Sequence, residues 1–359
     1  MRALILAHDK FTPLTGKTGV CLIRYRRQDI VGVVDRAKAG RDAGEVVPEG
    51  KGLPILRSVQ EALPLRPDTL FVGIAPVGGS LPEEWRPDLR LALERGLTVV
   101  SGLHVFLGDD PELAALAAKH GGRLVDVRRP PAERRIANGE ARFVDSTVVL
   151  TVGTDCSIGK MTVAVELHRE ALRRGLTSGF VATGQTGIMV GCDEGVAIDA
   201  VVGDFMAGEV ERMVVATARR GKRVVWVEGQ AAVTHPAYSG VTVGLLHGAS
   251  PDHLILCHDA TRRERKGFPG FPLAPVREEI TFNEQLLKWT TGGKVVGVAL
   301  MTLGLNEHDA RDAIARMELE TGLPCTDVVR YGAGRLVDAV LEASANLTKK
   351  AQPAYPLKR

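Results

Sequence analysis

The sequence has no CxxC pair. Its five cysteines, Cys21, Cys156, Cys192, Cys257 and Cys325, are odd in number and widely spaced. That excludes a disulfide framework and a cysteine zinc site, and a reducing cytoplasm is the expected setting. Long apolar runs are missing too. The opening MRALILAHDK has five apolar residues before His8, too few for a signal-peptide core, and no later segment reaches the ~18 needed to cross a bilayer. A membrane partner is therefore not expected. There is no dense Lys/Arg tract with interleaved aromatics, and the net charge is only +3. Nucleic acid is not expected as a partner either, whereas a small anionic ligand suits the mild positive balance. Internal repeats, low-complexity tracts and a GxGxxG fingerprint are all absent. His8, His104, His247 and His253 lack metal-ligand spacing, so they read as structural and no metal is expected.

What is present is the material of two globular domains. The chain has 359 residues, 45% hydrophobic and 25% charged, which suffices for two cores. Short apolar runs alternate with amphipathic stretches, the pattern of parallel sheets with crossover helices. Strands are expected at residues 3–7, 30–34, 70–74, 98–101 and 123–127, with helices at 83–95 and 111–120. Pro111 suits a first helical turn after Asp109 and Asp110 as caps. Residues 128–143 hold Pro130, Pro131 and many charges and break the alternation. The division expected is 1–140, 141–347 and a basic tail, 348–359, that is loosely held or used at a subunit contact of a homo-oligomer. The second domain is expected to have strands at 147–152, 179–182, 224–228, 254–257, 295–300 and 327–330, and helices at 161–174, 205–220 and 307–321. Residues 265–275 carry prolines, glycines and aromatics beside basic residues and read as a surface loop and candidate lid.

The strongest local signal is VVLTVGTDCSIGKMTVAVEL, residues 148–167. A buried β-run enters a glycine-bounded loop, then a lysine, then an amphipathic helix, which is the context of a P-loop. Gly153 and Gly159 let backbone N–H groups approach an anion. The helix adds free N–H groups and the positive end of its dipole, and Lys160 a point charge. Gly153, Thr154, Asp155, Cys156, Ser157, Ile158, Gly159, Lys160, Met161 and Thr162 are the expected phosphate cradle. Five residues separate the glycines instead of the usual four. Met161 stands where nucleotide hydrolases place the Mg²⁺-binding Ser or Thr, and Thr162, one residue on, points elsewhere. Phosphate binding is expected, and Mg·NTP hydrolysis is not. Cys156, beside a helix N-terminus, reads as a small packing residue rather than a nucleophile.

The five-residue loop resembles that of dethiobiotin synthetase, as does the Val227-Glu228-Gly229-Gln230 strand end. A wider resemblance is carried, in order, by GIAPVGGSLPEEW (73–85), SGLHVFLGDDPELA (101–114), VGTDCSIGKMT (152–162), ATGQTGIMV (182–190), AIDAVVGDFMAGEVE (197–211), VEGQAAVTHPAYSGVTVGLLHGASPD (227–252), LCHDATR (256–262) and GLPCTDVVRYGAG (322–334). With these segments the chain resembles the D-glutamate N-acetyltransferase (DgcN-like) family, long catalogued as a domain of unknown function. The resemblance implies an α/β fold, with an N-terminal Rossmann-like domain and a C-terminal P-loop NTPase-like domain on a doubly wound, mainly parallel sheet. It implies acetyl transfer from acetyl-CoA, the co-substrate, to the amino group of D-glutamate. The chain departs from the family pattern at Ala231-Ala232-Val233, where Gly-Ser and a larger apolar residue are expected, and at Met301-Thr302, where Asn-Thr is expected.

That chemistry fits a P-loop without a magnesium ligand, since CoA carries a pyrophosphate and a ribose phosphate. The attacking amine must lose its ammonium proton, so a base is needed. Glu228, at a strand end, and His235, in an irregular loop, are the candidates. A structural carboxylate and a turn histidine are their plain alternatives. For the substrate, Gln185 and Thr186 lie in a polar, glycine-bearing loop, residues 183–187. Asp199 and Asp204 lie at five-residue spacing, and Asp204 also reads as a helix N-cap. Gln230 follows Glu228, and His258 follows a strand where P-loop folds read a base. Arg262 and Arg330 are candidates for carboxylate or phosphate. In the N-terminal domain Asp35 stands at the ribose position of a Rossmann fold, and residues 75–79 could approach a ligand. Two other readings remain: an ATP- and magnesium-dependent carboxylate-activating ligase, and a non-catalytic nucleotide- or CoA-binding protein.

Overall fold

The computed structural model describes residues 1–13, 15–74, 79, 81–345 and 347. Residues 75–78 and the basic tail lie outside the described residues. The chain divides into two compact units, Met1–Arg129 with Ile188–Gly191, and Pro130–Gly187 with Cys192–Arg359. Among the described residues no helix is long and apolar enough to cross a membrane.

In the first unit β1 (Ala3–Leu6), β2 (Ile30–Val34), β3 (Ile55–Leu56), β4 (Thr69–Val72), β5 (Thr98–Ser101) and β6 (Arg123–Asp126) form one sheet. Its order is β3-β2-β1-β4-β5-β6, and every pairing is parallel. This is the two-halved order of a Rossmann fold. The crossovers carry α1 (Lys17–Arg26), α2 (Val59–Ala62), α3 (Arg86–Glu94) and α4 (Pro111–His120). All four residues of β1 are buried, which is why the strand reads as an unbroken apolar run rather than an alternation. At α4 the Asp110 carboxylate accepts from the Glu112 and Leu113 N–H groups, with Pro111 in the first turn. Asp35 is fully buried and turns its carboxylate onto the N–H groups of Asp9 (2.8 Å) and Ala37 (3.0 Å).

The second unit contains β7 (Thr147–Gly153), α5 (Lys160–Arg173), β8 (Ser178–Ala182), α6 (Gln185–Val190), β9 (Glu194–Gly195), α7 (Gly203–Ala218) and β10 (Val224–Val227). It continues with α8 (Ser239–Ala249), β11 (His253–Asp259), α9 (Val276–Leu287), β12 (Lys294–Met301), α10 (Glu307–Thr321), β13 (Cys325–Thr326) and α11 (Gly334–Ala345). The sheet order is β13-β12-β11-β7-β10-β8-β9, again parallel throughout. Successive residues of β7 serve opposite layers, as the pleat requires. Val148, Leu150 and Val152 pack with residues of α7, α8, α9 and α10. Val149 packs with residues of α5 and α11. The sheet is thus covered on both faces, the doubly wound arrangement.

Three expectations are corrected. Residues 327–330 form a turn, and the edge strand is Cys325–Thr326. The Asp327 carboxylate accepts from the N–H groups of Val329 and Arg330, a side-chain-closed turn that competes with extension. Gln185, Thr186 and Gly187 belong to helix α6 rather than to a loop, leaving Thr183 and Gly184 as the link after β8. Asp204 is not an N-cap. The cap position is Val202, with no side-chain bond, and Asp204 supplies an acidic first turn instead.

Candidate functional site

Parallel register gathers the candidates at one edge of the second sheet. Gly153 pairs with Cys257, Leu150 with Val227, and Val227 with Val181. The segments that leave the C-terminal ends of β7, β8, β10 and β11 therefore emerge side by side. They carry the P-loop, Thr183-Gly184, Glu228 and His258. Ligand crevices of α/β sheets form at such ends.

The P-loop is shaped by two residues with positive φ, Ser157 (55°) and Gly159 (96°). Gly159 is the N-cap position of α5. Ile158 turns into the core, 1% exposed. A side chain at Gly153 would meet the Ile158 methyl at 2.6 Å and the Cys257 carbonyl at 2.8 Å, so only glycine fits there. Cations hold the outward carbonyls of the loop. Arg265 Nη1 donates to Thr154 O (3.1 Å), Lys160 Nζ to Asp155 O (2.6 Å), and Arg262 Nη1 to Cys156 O (2.6 Å). Three consecutive carbonyls of the loop are thus held by cations, and the Thr154 N–H donates to the Cys257 carbonyl (3.2 Å). Met161 and Thr162 follow Lys160 in the first turn of α5, both half-buried.

Asp155 is fully buried and ties the P-loop to the segment after β11. Its Oδ2 accepts from Arg262 Nη1 (2.8 Å) and Lys266 N (2.9 Å). That segment, residues 260–275, is irregular. Its Phe268 ring meets the His235 ring edge-on at 5.0 Å, and Tyr238 stacks on His235 at 4.8 Å. Arg265 also donates to Thr234 Oγ1 (2.6 Å). The loop is thus fastened across the P-loop at both its basic and its aromatic residues.

Asp155, Cys156 and His235 each bring a potential ligand atom to within 4.8 Å of the others, close enough for a shared cation. The hydrogen bonding of the His235 ring argues against one. The Ala237 N–H donates to His235 Nδ1 (3.1 Å), which assigns the neutral ring's proton to Nε2, facing Asp155 Oδ1 at 3.6 Å. That nitrogen then has no lone pair for a metal. Burial lowers the His235 pKa, with Asp155 opposing, so the ring is neutral near pH 7.

Glu228 sits immediately after β10, 6% exposed. Its Oε2 accepts from the N–H groups of Thr183 (3.0 Å) and Gly184 (3.2 Å). Gln230 Nε2 donates to the Thr183 carbonyl (2.9 Å). Gln185 and Thr186 are buried in the following helix. Asp199, on a 3-10 turn, and Asp204 are both exposed. Arg330 serves a different cluster: its guanidinium donates to the carbonyls of Thr302 (3.3 Å) and Leu305. Ala231 holds a positive φ of 50°, a backbone conformation that favours glycine.

His258 Nδ1 lies 2.9 Å from Thr154 Oγ1. Burial depresses this imidazole to about 4, against ~6.5 for an ordinary histidine. In the unfolded chain the ring takes up a proton as pH falls below ~6.5, while in the folded chain it resists until about 4. Its contribution is complete above ~6.5 and is lost as pH falls toward the folded value. On the order of 3 kcal/mol should disappear across that window. Urea midpoints across it should converge for the wild type and His258→Asn at low pH, the variant showing the shallower slope. The lowered His168, His235 and His253 act in the same direction in both proteins. Parallel slopes would show that His258 is not the source.

Sequence reasoning overlooked Arg265, which holds both Thr154 and Thr234, and the backbone of Lys266. The signal was available: Arg262, Arg263, Arg265 and Lys266 fall within five residues of one another directly after a strand's C-terminal end.

The comparisons with known proteins agree with this architecture. Residues 135–337 match a domain of unknown function described as the DUF1611 P-loop domain. Residues 36–130 match its partner, described as the DUF1611_N Rossmann-like domain. A protein named D-glutamate N-acetyltransferase from Tritonibacter scottomollicae is 37% identical over 338 residues, 94% of this chain and 97% of that protein. One of the same name from a Pseudoalteromonas species is 35% identical over 78% of this chain and 83% of that protein. The crystal structure of a DUF1611 family protein from Anabaena variabilis superposes with a TM-score of 0.89 at 43% identity, covering 95% of this chain and 99% of that one. The chain therefore belongs to the DUF1611, or D-glutamate N-acetyltransferase, family, with a Rossmann-like N-terminal domain and a P-loop C-terminal domain.

Proposed function

We propose that the chain transfers an acetyl group from acetyl-CoA to the amino group of an amino acid, with D-glutamate as the acceptor. The observation that carries this is a phosphate cradle with its lysine but with Met161 at the magnesium-ligand position, in a chain related along nearly its whole length to proteins named for that reaction. The CoA pyrophosphate lies on the amides of the P-loop and on Lys160, a contact that needs no metal.

The acceptor ammonium gives a proton to a base, its nitrogen attacks the thioester carbonyl to form the C–N bond, the C–S bond breaks, and the nitrogen's next proton passes to the departing thiolate, releasing CoA thiol and leaving the amide. Glu228 is the base in this scheme. Two N–H groups hold one of its oxygens and so fix the carboxylate just beyond the C-terminal end of β10. His235 is a poor alternative, since its Nδ1 lone pair is taken by Ala237 N–H.

Calorimetric titration tests the donor. Acetyl-CoA should bind, and Lys160→Ala should weaken it roughly ten- to a hundredfold, the worth of a charged hydrogen bond at about 1.5–3 kcal/mol. Binding of Mg·ATP with no binding of acetyl-CoA would overturn the reading in favour of a ligase. A panel of D- and L-amino acids then tests the acceptor, with D-glutamate expected to release CoA thiol fastest. Silence across the panel would remove the transferase assignment.

A further inference from the structure

A cleft of about 360 Å³ opens beside the P-loop, within the size range of small-molecule sites. It shares two residues with the P-loop surroundings. His258 lines it and meets Thr154 Oγ1 at 2.9 Å, and Arg262 lines it and donates to Cys156 O. Leu273, Pro275, Leu300 and Met317 supply apolar walls. Three arginines, Arg262, Arg263 and Arg316, face a single acid, Glu320, around its lining. Arg262 is committed to the P-loop. Arg263 and Arg316 are exposed, and their side chains make no hydrogen bond or ion pair among the described residues.

Such a lining selects for more than a nucleotide base. A pyrophosphate belongs to CoA and ATP alike, and the P-loop can hold it in either. An adenosine without a further phosphate asks only for apolar walls and a few neutral hydrogen-bond partners. Two exposed guanidiniums lining the same cleft, neither of them bonded to the P-loop, match a second, separate anion. Guanidinium forks bind phosphate oxygens in pairs, and in a half-enclosed cleft that attraction is less screened than on open surface. The chemical feature of CoA that ATP lacks is the dianionic phosphomonoester on the ribose 3′ oxygen.

We propose that this cleft holds the 3′-phosphoadenosine end of CoA, with the purine on the apolar walls and the 3′-phosphate on Arg263 and Arg316. The inference rests on the acetyl-CoA reading above and goes beyond it by assigning the group that separates CoA from other nucleotides. Arg263 and Arg316 are then specificity residues, outside the P-loop and outside the acyl-transfer chemistry.

The test compares CoA with 3′-dephospho-CoA by calorimetry, on the full chain and on Arg263→Ala/Arg316→Ala, a variant of two exposed residues whose melting temperature checks its fold. The wild type should bind CoA at least roughly tenfold more tightly than dephospho-CoA, one to two charged contacts' worth. The double variant should bind both alike, at the wild-type affinity for dephospho-CoA. A double variant that keeps the preference would overturn the assignment, because the 3′-phosphate would then lie elsewhere. So would a wild type that binds both ligands equally, although acetyl-CoA as donor would survive either result. A wild type that binds neither would remove the donor reading along with it.

Discussion

Glu228→Gln is expected to lower kcat for acetyl transfer by about 10²–10⁴, the usual contribution of a positioned base, while leaving acetyl-CoA affinity nearly unchanged. The substitution is chosen because glutamine can keep the bonds to Thr183 and Gly184. Oε2 accepts from Thr183 N and Gly184 N, and an amide oxygen can accept from both. Space is tight, since a Cβ at Gly187 would lie 2.5 Å from Oε2 and one at Gly184 would lie 3.1 Å from Oε1, and glutamine adds no volume. What glutamine cannot do is take the proton of the acceptor's ammonium. A purely structural Glu228 predicts another outcome, a lower melting temperature with kcat close to wild type. Steady-state kinetics and a thermal melt on the same preparation separate the two. Glu228→Ala would not, because it leaves two buried N–H groups without an acceptor.

Gly229→Ala should cost about 4 kcal/mol or more, beyond ordinary overpacking. A Cβ on Gly229 would stand 1.6 Å from Thr151 O and 3.2 Å from Lys160 Cδ. The nearer atom is β-sheet backbone and cannot step aside. Gly229 N–H also donates to Thr151 Oγ1 (2.9 Å), so a shift of the chain there breaks a buried bond as well as moving the lysine stem. Denaturant unfolding should show a collapse of the midpoint. Gly240→Ala is the control. Gly240 lies in α8 with nothing within 4 Å of its Cβ position, and alanine there should be neutral or stabilising by up to about 1 kcal/mol. Equal effects at the two positions would mean that the close approach at Gly229 is not what requires glycine.

Much of the site's backbone was legible in the sequence because it is local. Gly153, Gly159 and Lys160 declare a P-loop through their spacing after a buried β-run, and Met161 shows that the usual Ser or Thr after the lysine is replaced. Asp110-Pro111 declares a helix start, since capping involves neighbours a few residues apart. The unbroken apolar strands declare sheets covered on both faces. The same local reading failed at 327–330, where a carboxylate closes a turn, and at 185–187, where glycine and polar residues concealed a short helix. Neither outcome is set by periodicity.

The tertiary structure alone decided which distant residues meet. Parallel register aligns the ends of β7, β8, β10 and β11 and so puts Glu228 against Thr183 and Gly184, and His258 against Thr154. Only the return of the loop after β11 shows that Arg262 and Arg265 hold P-loop carbonyls, and only there does Arg330 part company with them. Nothing in the sequence around Arg316 distinguishes it from a solvated surface arginine, and the basic run that holds Arg263 does not show that the two line one cleft. The sequence by itself determined the family, the two sheets and the P-loop, since these are written in local pattern and order. The partners of each charge were left to the fold, because a charge's role depends on which long-range neighbours desolvate it, pair with it or leave it open to a ligand.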